Sequence, residues 1–279
     1  SMKKIIAVIL VFALLGIVAA AATYATISAS LPQIIKVSDY KPLLVSDVYA
    51  RGGEKIGDYN RQVRKLATID KIPKMLIDAF IAIEDRQFYE HSGINYMAIL
   101  RAMATNLVSG GTRGASTITQ QLAKNLYLSP QRSLWRKVRE LAIADQLEAE
   151  LTKTRILELY LNVVEWGDGV FGAEAAAKFW FGHSAAALTP AQAARLAVAL
   201  PNPKWRSPNR QFGSLNRKCA RLVLGMHHLG VISAGEQAQA LQDLGVAKAE
   251  VDANEAADAA SERKATTPAN APSASPPAE

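Results

Sequence analysis

The sequence predicts a mainly α-helical domain preceded by one transmembrane helix. Three observations carry that expectation. A long uncharged apolar run lies near the N-terminus, apolar residues recur at helical spacing from Pro73 onward, and no stretch alternates long enough to predict a substantial sheet.

Lys3 and Lys4 precede a charge-free stretch from Ile5 to Ile35. Its apolar part, to about Ala25, would span ~30 Å as a helix, the thickness of a bilayer core. Ala19–Ala22 could supply a signal-peptide cleavage region. Signal h-regions run only ~7–15 residues, so the reading is an uncleaved anchor. The flanking lysines place the N-terminus in the cytoplasm and the rest of the chain outside.

Residues 1–28 are therefore read as stub and anchor, 29–250 as the catalytic domain and 251–279 as a tail. Within the connector, Val45–Ala50 and Lys55–Tyr59 flank Arg51-Gly52-Gly53-Glu54, a hairpin pattern. Pro73 suits a helix start, and Met75, Leu76, Ala79, Phe80 and Ile83 form an apolar stripe behind it. Further helices are expected at about 94–108, 118–127, 130–150, 153–164, 170–180, 190–199, 214–229 and 233–243. After Val251 no large apolar residue appears and Ala, Ser, Pro, Thr and Glu dominate, so the tail is expected to be disordered. Ser261-Glu262-Arg263-Lys264 fits the S-x-x-K pattern of penicillin-binding transpeptidases, but without a folded domain or a KTG partner around it.

Of the 279 residues 49% are apolar, enough for a sizeable core even after the anchor is set aside. The net charge of +7 and pI near 9.4 call for anionic partners, whether nucleic acid, lipid head groups or phosphorylated substrates. The lone cysteine, Cys219, excludes an internal disulfide, and His91, His183, His227 and His228 have no zinc spacing.

Three segments carry chemistry. Glu84 and Asp85 end the stripe that begins at Met75, and partial burial of Glu84 would suit a general base. A solvated helix end is the plainer account of the same spacing. Next, a glycine-rich stretch, 110–114, feeds a helix whose Thr117 and Gln120 form a T-x-x-Q capping box. Free N–H groups there, with the Ser116 and Thr117 hydroxyls, could hold a phosphate, and Gln120, Gln121 and Lys124 share the adjoining face. Then Ser129 and Pro130 can open a helix on which Arg132, Arg136 and Glu140 step by four, with Lys137 alongside. An arginine-rich face with one acid suits a diphosphate, directly or through a divalent cation on Glu140. A plain surface ion pair accounts for the same spacing. The helix over 153–164 reads as structural, its polar groups bracing other segments.

These segments together resemble the family 51 glycosyltransferases, the peptidoglycan polymerases. Glu-Asp-x-x-Phe-x-x-His-x-Gly at 84–93 and Gly-Ala-Ser-Thr-Ile-Thr-Gln-Gln-Leu-x-Lys-Asn at 114–125 are similar to that family's first two signatures. Arg136-Lys137-x-x-Glu140, Ile156-Leu157-Glu158-x-Tyr160-Leu161-Asn162 and Ala199-Leu200-Pro201-Asn202-Pro203 are similar to the next three, in the same order. Phe179-Trp180-Phe181-Gly182 departs slightly from the Tyr-Phe-Gly common among relatives.

The resemblance implies a lysozyme-like head with a smaller, mobile, membrane-facing jaw, of the monofunctional type. It implies transfer of a growing glycan from undecaprenyl diphosphate to the GlcNAc 4-hydroxyl of lipid II, with inversion, at the outer face of the cytoplasmic (inner) membrane. Carried over residue by residue, Glu84 is the base and Glu140 a second catalytic residue that would hold a Mg2+ or Mn2+ ion against the diphosphate. Asp85, Phe88, His91, Arg101, Ser116, Thr117, Gln120, Gln121, Lys124, Arg132, Arg136 and Lys137 form the substrate site. Asp85, Phe88 and His91 mainly shape the first motif. The bilayer and the lipid-linked glycan are the implied partners; other cell-wall synthesis or division proteins are compatible with it, and nucleic acid is not expected.

Two rivals remain in view. A peptidoglycan-cleaving enzyme of lysozyme-like fold would not need the Lys124–Arg132–Arg136 constellation. A noncatalytic module for anionic polymers would fit the charge, would bind in a strongly salt-dependent way, and would be indifferent to neutralising Glu84.

Overall fold

The computed structural model describes residues 2–29, 46–52, 54–59, 63–109, 114–129, 131, 133–201, 207–208, 213–251 and 253. Arg132, the loop over 110–113, Asn202, Pro203 and nearly all of the tail, including Ser261–Lys264, lie outside the described residues.

The chain begins with α1 (Met2–Ala29), whose most apolar window has a mean hydropathy of 3.1 and no buried side chain. It is long and apolar enough to cross a membrane, as the sequence predicts. Near its C-terminal end it meets the folded domain: the Tyr24 hydroxyl donates to Asp145 Oδ2 at 3.3 Å.

The expected hairpin forms from β1 (Ser46–Tyr49) and β2 (Lys55–Tyr59), paired antiparallel. Ala50 N donates to Glu54 O at 2.7 Å and closes the turn. A second small sheet was not foreseen. β3 (Val63–Arg64) pairs parallel with β5 (Val170–Phe171), and β5 antiparallel with β4 (Glu165–Gly167). Strands of two and three residues are too short for any alternation to show.

The rest is helical: α2 (Lys74–Glu84), α3 (Tyr96–Ser109), α4 (Ile118–Tyr127), α5 (Leu134–Glu150), α6 (Lys153–Val163), α7 (Ala173–Phe181), α8 (Pro190–Ala199), α9 (Gly213–His228) and α10 (Ala234–Leu244). Local signals fix most boundaries. Thr117, Ser133 and Thr152 cap α4, α5 and α6, each accepting a bond from the backbone N–H three residues on. Thr189 with Gln192, and Ser233 with Glu236, form full capping boxes on α8 and α10. The start of α5 is a correction. Ser133, not Ser129, caps that helix, so it begins after Pro130.

The core gathers around α2, α6 and α8. The Phe80 ring meets the edges of Tyr160 (6.5 Å) and Trp166 (5.1 Å), and all three are fully buried. The Trp166 indole N–H donates to Leu196 O at 3.2 Å, which satisfies its one polar atom. Alanines at 173, 175, 176 and 177 on α7 and at 191, 193, 194 and 197 on α8 are buried and let the backbones come close. Gly172 is required where the chain turns into α7. Its φ is +89°, and a Cβ there would meet Asn162 O at 3.0 Å.

Helix α3 is the exception to this packing. Tyr96, Leu100, Met103 and Leu107 lie at i, i+4, i+7 and i+11, one face of the helix, and all are exposed. Among its described side chains only Ala102 is buried.

Candidate active site

The first motif is built where α2 ends. Glu84 is the last helical residue, and Asp85 leaves the helix with φ −162° and ψ 77°. Asp85 is buried. Its Oδ2 accepts from the Ile118 backbone N–H at 3.1 Å, one of the unsatisfied donors at the start of α4. The same carboxylate takes both oxygens to within 2.9 Å of His91 Nε2. Phe88 is fully buried, with the Lys153 ammonium 4.5 Å above its ring centroid. Asp85, Phe88 and His91 thus hold the segment in place, and Asp85 also lines the cleft on which Glu84 opens.

Gly93 closes the motif against α4 and α5. Its φ is +78°, and a Cβ would meet Ala144 O at 3.2 Å. The Gly93 carbonyl accepts from the Thr117 hydroxyl at 2.6 Å and from Gln120 Nε2 at 3.4 Å. Here the expected capping box is half formed. Thr117 Oγ1 accepts from Gln120 N at 3.2 Å, but the Gln120 side chain reaches Gly93 instead of turning back to Thr117. Thr117 and Gln120 are both buried and tie the two motifs together, and Thr117 also lines the cleft beside Glu84.

The remaining predicted residues do converge. Gln121 Nε2 donates to Glu84 Oε2 at 2.6 Å. Glu140 is buried and held between two cations, Arg136 Nη1 at 3.2 Å from Oε2 and Lys137 Nζ at 2.5 Å from Oε1. Lys137 also donates to Ser116 Oγ at 3.0 Å and Gln120 Oε1 at 3.1 Å, which draws α5 onto α4. Lys124 is within electrostatic reach of both carboxylates. Burial pulls its ammonium pKa below the ordinary lysine range, Glu140 and more weakly Glu84 oppose that pull, and Arg136 reinforces it.

Glu84 opens on a cleft of about 1030 Å³, lined among others by Arg101, Ser116, Thr117, Lys218 and Arg221. The two α9 cations were not among the sequence candidates. Lys218 and Arg221 are three apart, on one face beside the buried Cys219 and Ala220; a cation pair at that spacing on an amphipathic helix was the available signal. Burial pushes the Cys219 thiol up to about 12, so it is inert.

The residues around Glu140 do not fit a resident divalent cation. Both of its oxygens are engaged by cations, and Lys124 adds a third nearby. A magnesium ion is commonly held by one or two carboxylates with waters and substrate phosphates, and the one carboxylate here has no oxygen left free of an ammonium or guanidinium partner. Glu140 as a metal ligand is therefore not supported by this geometry, and the positive charge a metal would bring is already supplied by side chains.

The fourth motif braces the site from behind. Asn162 accepts from Ala67 N at 2.9 Å and donates to Ala67 O at 2.8 Å, while Glu158 Oε2 accepts from Ile69 N at 2.9 Å.

A family model described as transglycosylase matches residues 52–227, most of this folded region and all five motifs within it. The chain belongs to the transglycosylase family. Over 162 residues it is 51% identical to the biosynthetic peptidoglycan transglycosylase of Bordetella pertussis, covering 56% of this chain and 67% of that protein. It is 39% identical over 214 residues to penicillin-binding protein 1A of Neisseria flavescens, covering 76% of this chain and 27% of that one. With penicillin-binding protein 1A of Escherichia coli K12 the identity is 41% over 199 residues, covering 71% and 23%. The transglycosylase chain thus spans about a quarter of the penicillin-binding proteins it matches. The crystal structure of penicillin-binding protein 1A from Haemophilus influenzae aligns with a TM-score of 0.37 and 21% identity, over 72% of this transglycosylase and 21% of that chain.

Proposed function

We propose that this transglycosylase polymerises lipid-linked disaccharides into peptidoglycan strands, with Glu84 as general base. The observation that carries the reading is the contrast between its two site carboxylates. Glu84 lines the open cleft, accepts from the Gln121 amide and has Lys124 nearby, whereas Glu140 has both oxygens clamped by Arg136 and Lys137.

In the proposed step, the acceptor GlcNAc 4-hydroxyl of lipid II attacks C1 of the donor sugar. Glu84 takes the hydroxyl proton as the new C1–O bond forms. The bond from C1 to the undecaprenyl diphosphate breaks on the opposite face, and the diphosphate leaves with the electron pair, which gives inversion. A diphosphate is a good leaving group and needs charge stabilisation more than protonation. Lys124 and Arg136, with Lys137, supply that charge beside Glu84, and Glu140 keeps them oriented. A divalent cation, where required, would accompany the diphosphate.

The exposed apolar stripe of α3 and the apolar α1 support a site held at a bilayer surface, where both lipid-tailed substrates diffuse. Lys3 and Lys4 favour a cytoplasmic N-terminus and a catalytic domain on the outer face of the inner membrane.

The test is incubation of detergent-solubilised protein with labelled lipid II and a divalent cation, beside Glu84→Gln. Lysozyme-sensitive polymer from the parent and none from the variant is the expected result. A folded protein that binds lipid II but yields no polymer would make it a binding module instead.

A further inference from the structure

Glu84 and Tyr160 do not touch, yet they are joined. Gln121 lies between them, 37 residues after the first and 39 before the second. Its Nε2 donates to Glu84 Oε2 at 2.6 Å, and the Tyr160 hydroxyl donates to its Oε1 at 3.1 Å. We infer that Tyr160 is a positioning residue for the transfer reaction, fixing the Gln121 amide from within the core and, through it, the carboxylate of Glu84. This rests on Glu84 being the base, as proposed above.

The chemistry of the three groups sets the direction of the chain. An ionised carboxylate only accepts, so Gln121 must present its NH2 end to Glu84. That leaves the amide oxygen at the other end in need of a donor, because a buried amide oxygen without a partner is costly. Tyr160 supplies it. The phenol is fully buried on α6 with its ring against the edge of Phe80. Burial, with Glu84 and Asp85 nearby, holds its pKa well above the ordinary tyrosine value, so the hydroxyl keeps its proton and donates. Reversing the amide would set its oxygen against the carboxylate and leave the phenol proton without its acceptor, so both ends favour the same sense. The array is therefore polarised in one sense, from core to cleft, and it fixes the plane in which Glu84 meets the acceptor hydroxyl. A precise base orientation is worth having because small misplacements of reacting groups cost large factors in rate.

The other charged groups around Glu84 are common to the parent and to Tyr160→Phe: Asp85 and Arg86 beside it, Lys124 on α4, Arg101 on α3, and Lys218 and Arg221 on α9.

The experiment is Tyr160→Phe in the lipid II polymerisation assay, with kcat, KM, the pH profile and the melting temperature measured together. Phe keeps the packing on Phe80 and removes only the donor. We expect kcat to fall about tenfold, the size of one buried hydrogen bond, with KM moving less than about twofold because substrate contacts are untouched. The acidic limb of kcat should move to higher pH, since a carboxylate that loses an N–H donor is harder to ionise. A purely structural tyrosine would lower the melting temperature and leave that limb at the parent value. Gln121→Met cuts the same chain while leaving Tyr160 in place. It should show the same limb shift, and adding Tyr160→Phe to it should change kcat by less than about twofold. Parent kcat and pH profile in folded Tyr160→Phe would overturn the inference, as would a further tenfold loss on the Gln121→Met background. Glu84→Gln in the same assay separates the two readings. Activity near the parent's there sinks the base assignment itself, while an inactive Glu84→Gln beside an unaffected Tyr160→Phe sinks the positioning role alone.

Discussion

Glu84 and Glu140 sit at two ends of one site and differ in what surrounds them. Glu84 ends α2 at the cleft and meets the neutral Gln121 amide; Glu140 lies in the middle of α5 with a cation on each oxygen. On the proposed reading the same functional group has two tasks: the carboxylate clamped by two cations organises positive charge, and the one on the cleft takes the proton.

The comparison predicts effects of decreasing size. Glu84→Gln should lower kcat by roughly 10²–10⁴-fold, the range for a lost general base, with little change in melting temperature. An equal loss from Glu140→Gln at unchanged stability would break the contrast. We expect instead that Glu140→Gln destabilises the fold by about 1–2 kcal/mol, read by denaturant titration. Breaking a buried pair costs about 3–5 kcal/mol, but the Lys137 side chain is 41% exposed and screened by water. Its activity loss should come mainly through substrate affinity, as Arg136 and Lys137 lose their fixed geometry.

A smaller effect concerns Lys124. Its ammonium must be charged to hold a diphosphate, and burial lowers its pKa. Activity should therefore fall with rising pH earlier than for an ordinary lysine. Lys124→Arg should move that alkaline limb to higher pH, because a guanidinium stays protonated. The smallest expected effect is none. If Glu140 is no metal ligand, any divalent-cation dependence, titrated after chelation, should be the same in Glu140→Gln as in the parent. A large increase in that dependence would return Glu140 to the metal.

Much of this was legible because it is local. Thr117 before Ile118, and Thr189-Pro190 with Gln192, set the starts of α4 and α8 at the residues expected, since a cap acts within one turn. The Arg136–Glu140 pair was legible for the same reason, four residues being one helical turn. The Gln120 side chain was misassigned because its local partner, the Thr117 backbone, lost to the carbonyl of Gly93, 27 residues away. Arg101 reaches the cleft, but its helix turns an apolar stripe outward, the reverse of what periodicity alone implies.

The sequence by itself determined a helical chain with one membrane-length segment, features that depend on composition and periodicity, while its candidate site residues and their order came from motifs that resemble a known family. Only the tertiary structure decided which of them face the cleft and which are buried as ties. It set Asp85 on the start of α4, clamped Glu140 between cations, and joined Tyr160 to Glu84 through Gln121. Except for the Glu140 clamp, which lies within one helix, these contacts join residues dozens of positions apart, and burial together with the need to pair buried polar groups selects them after the helices have packed.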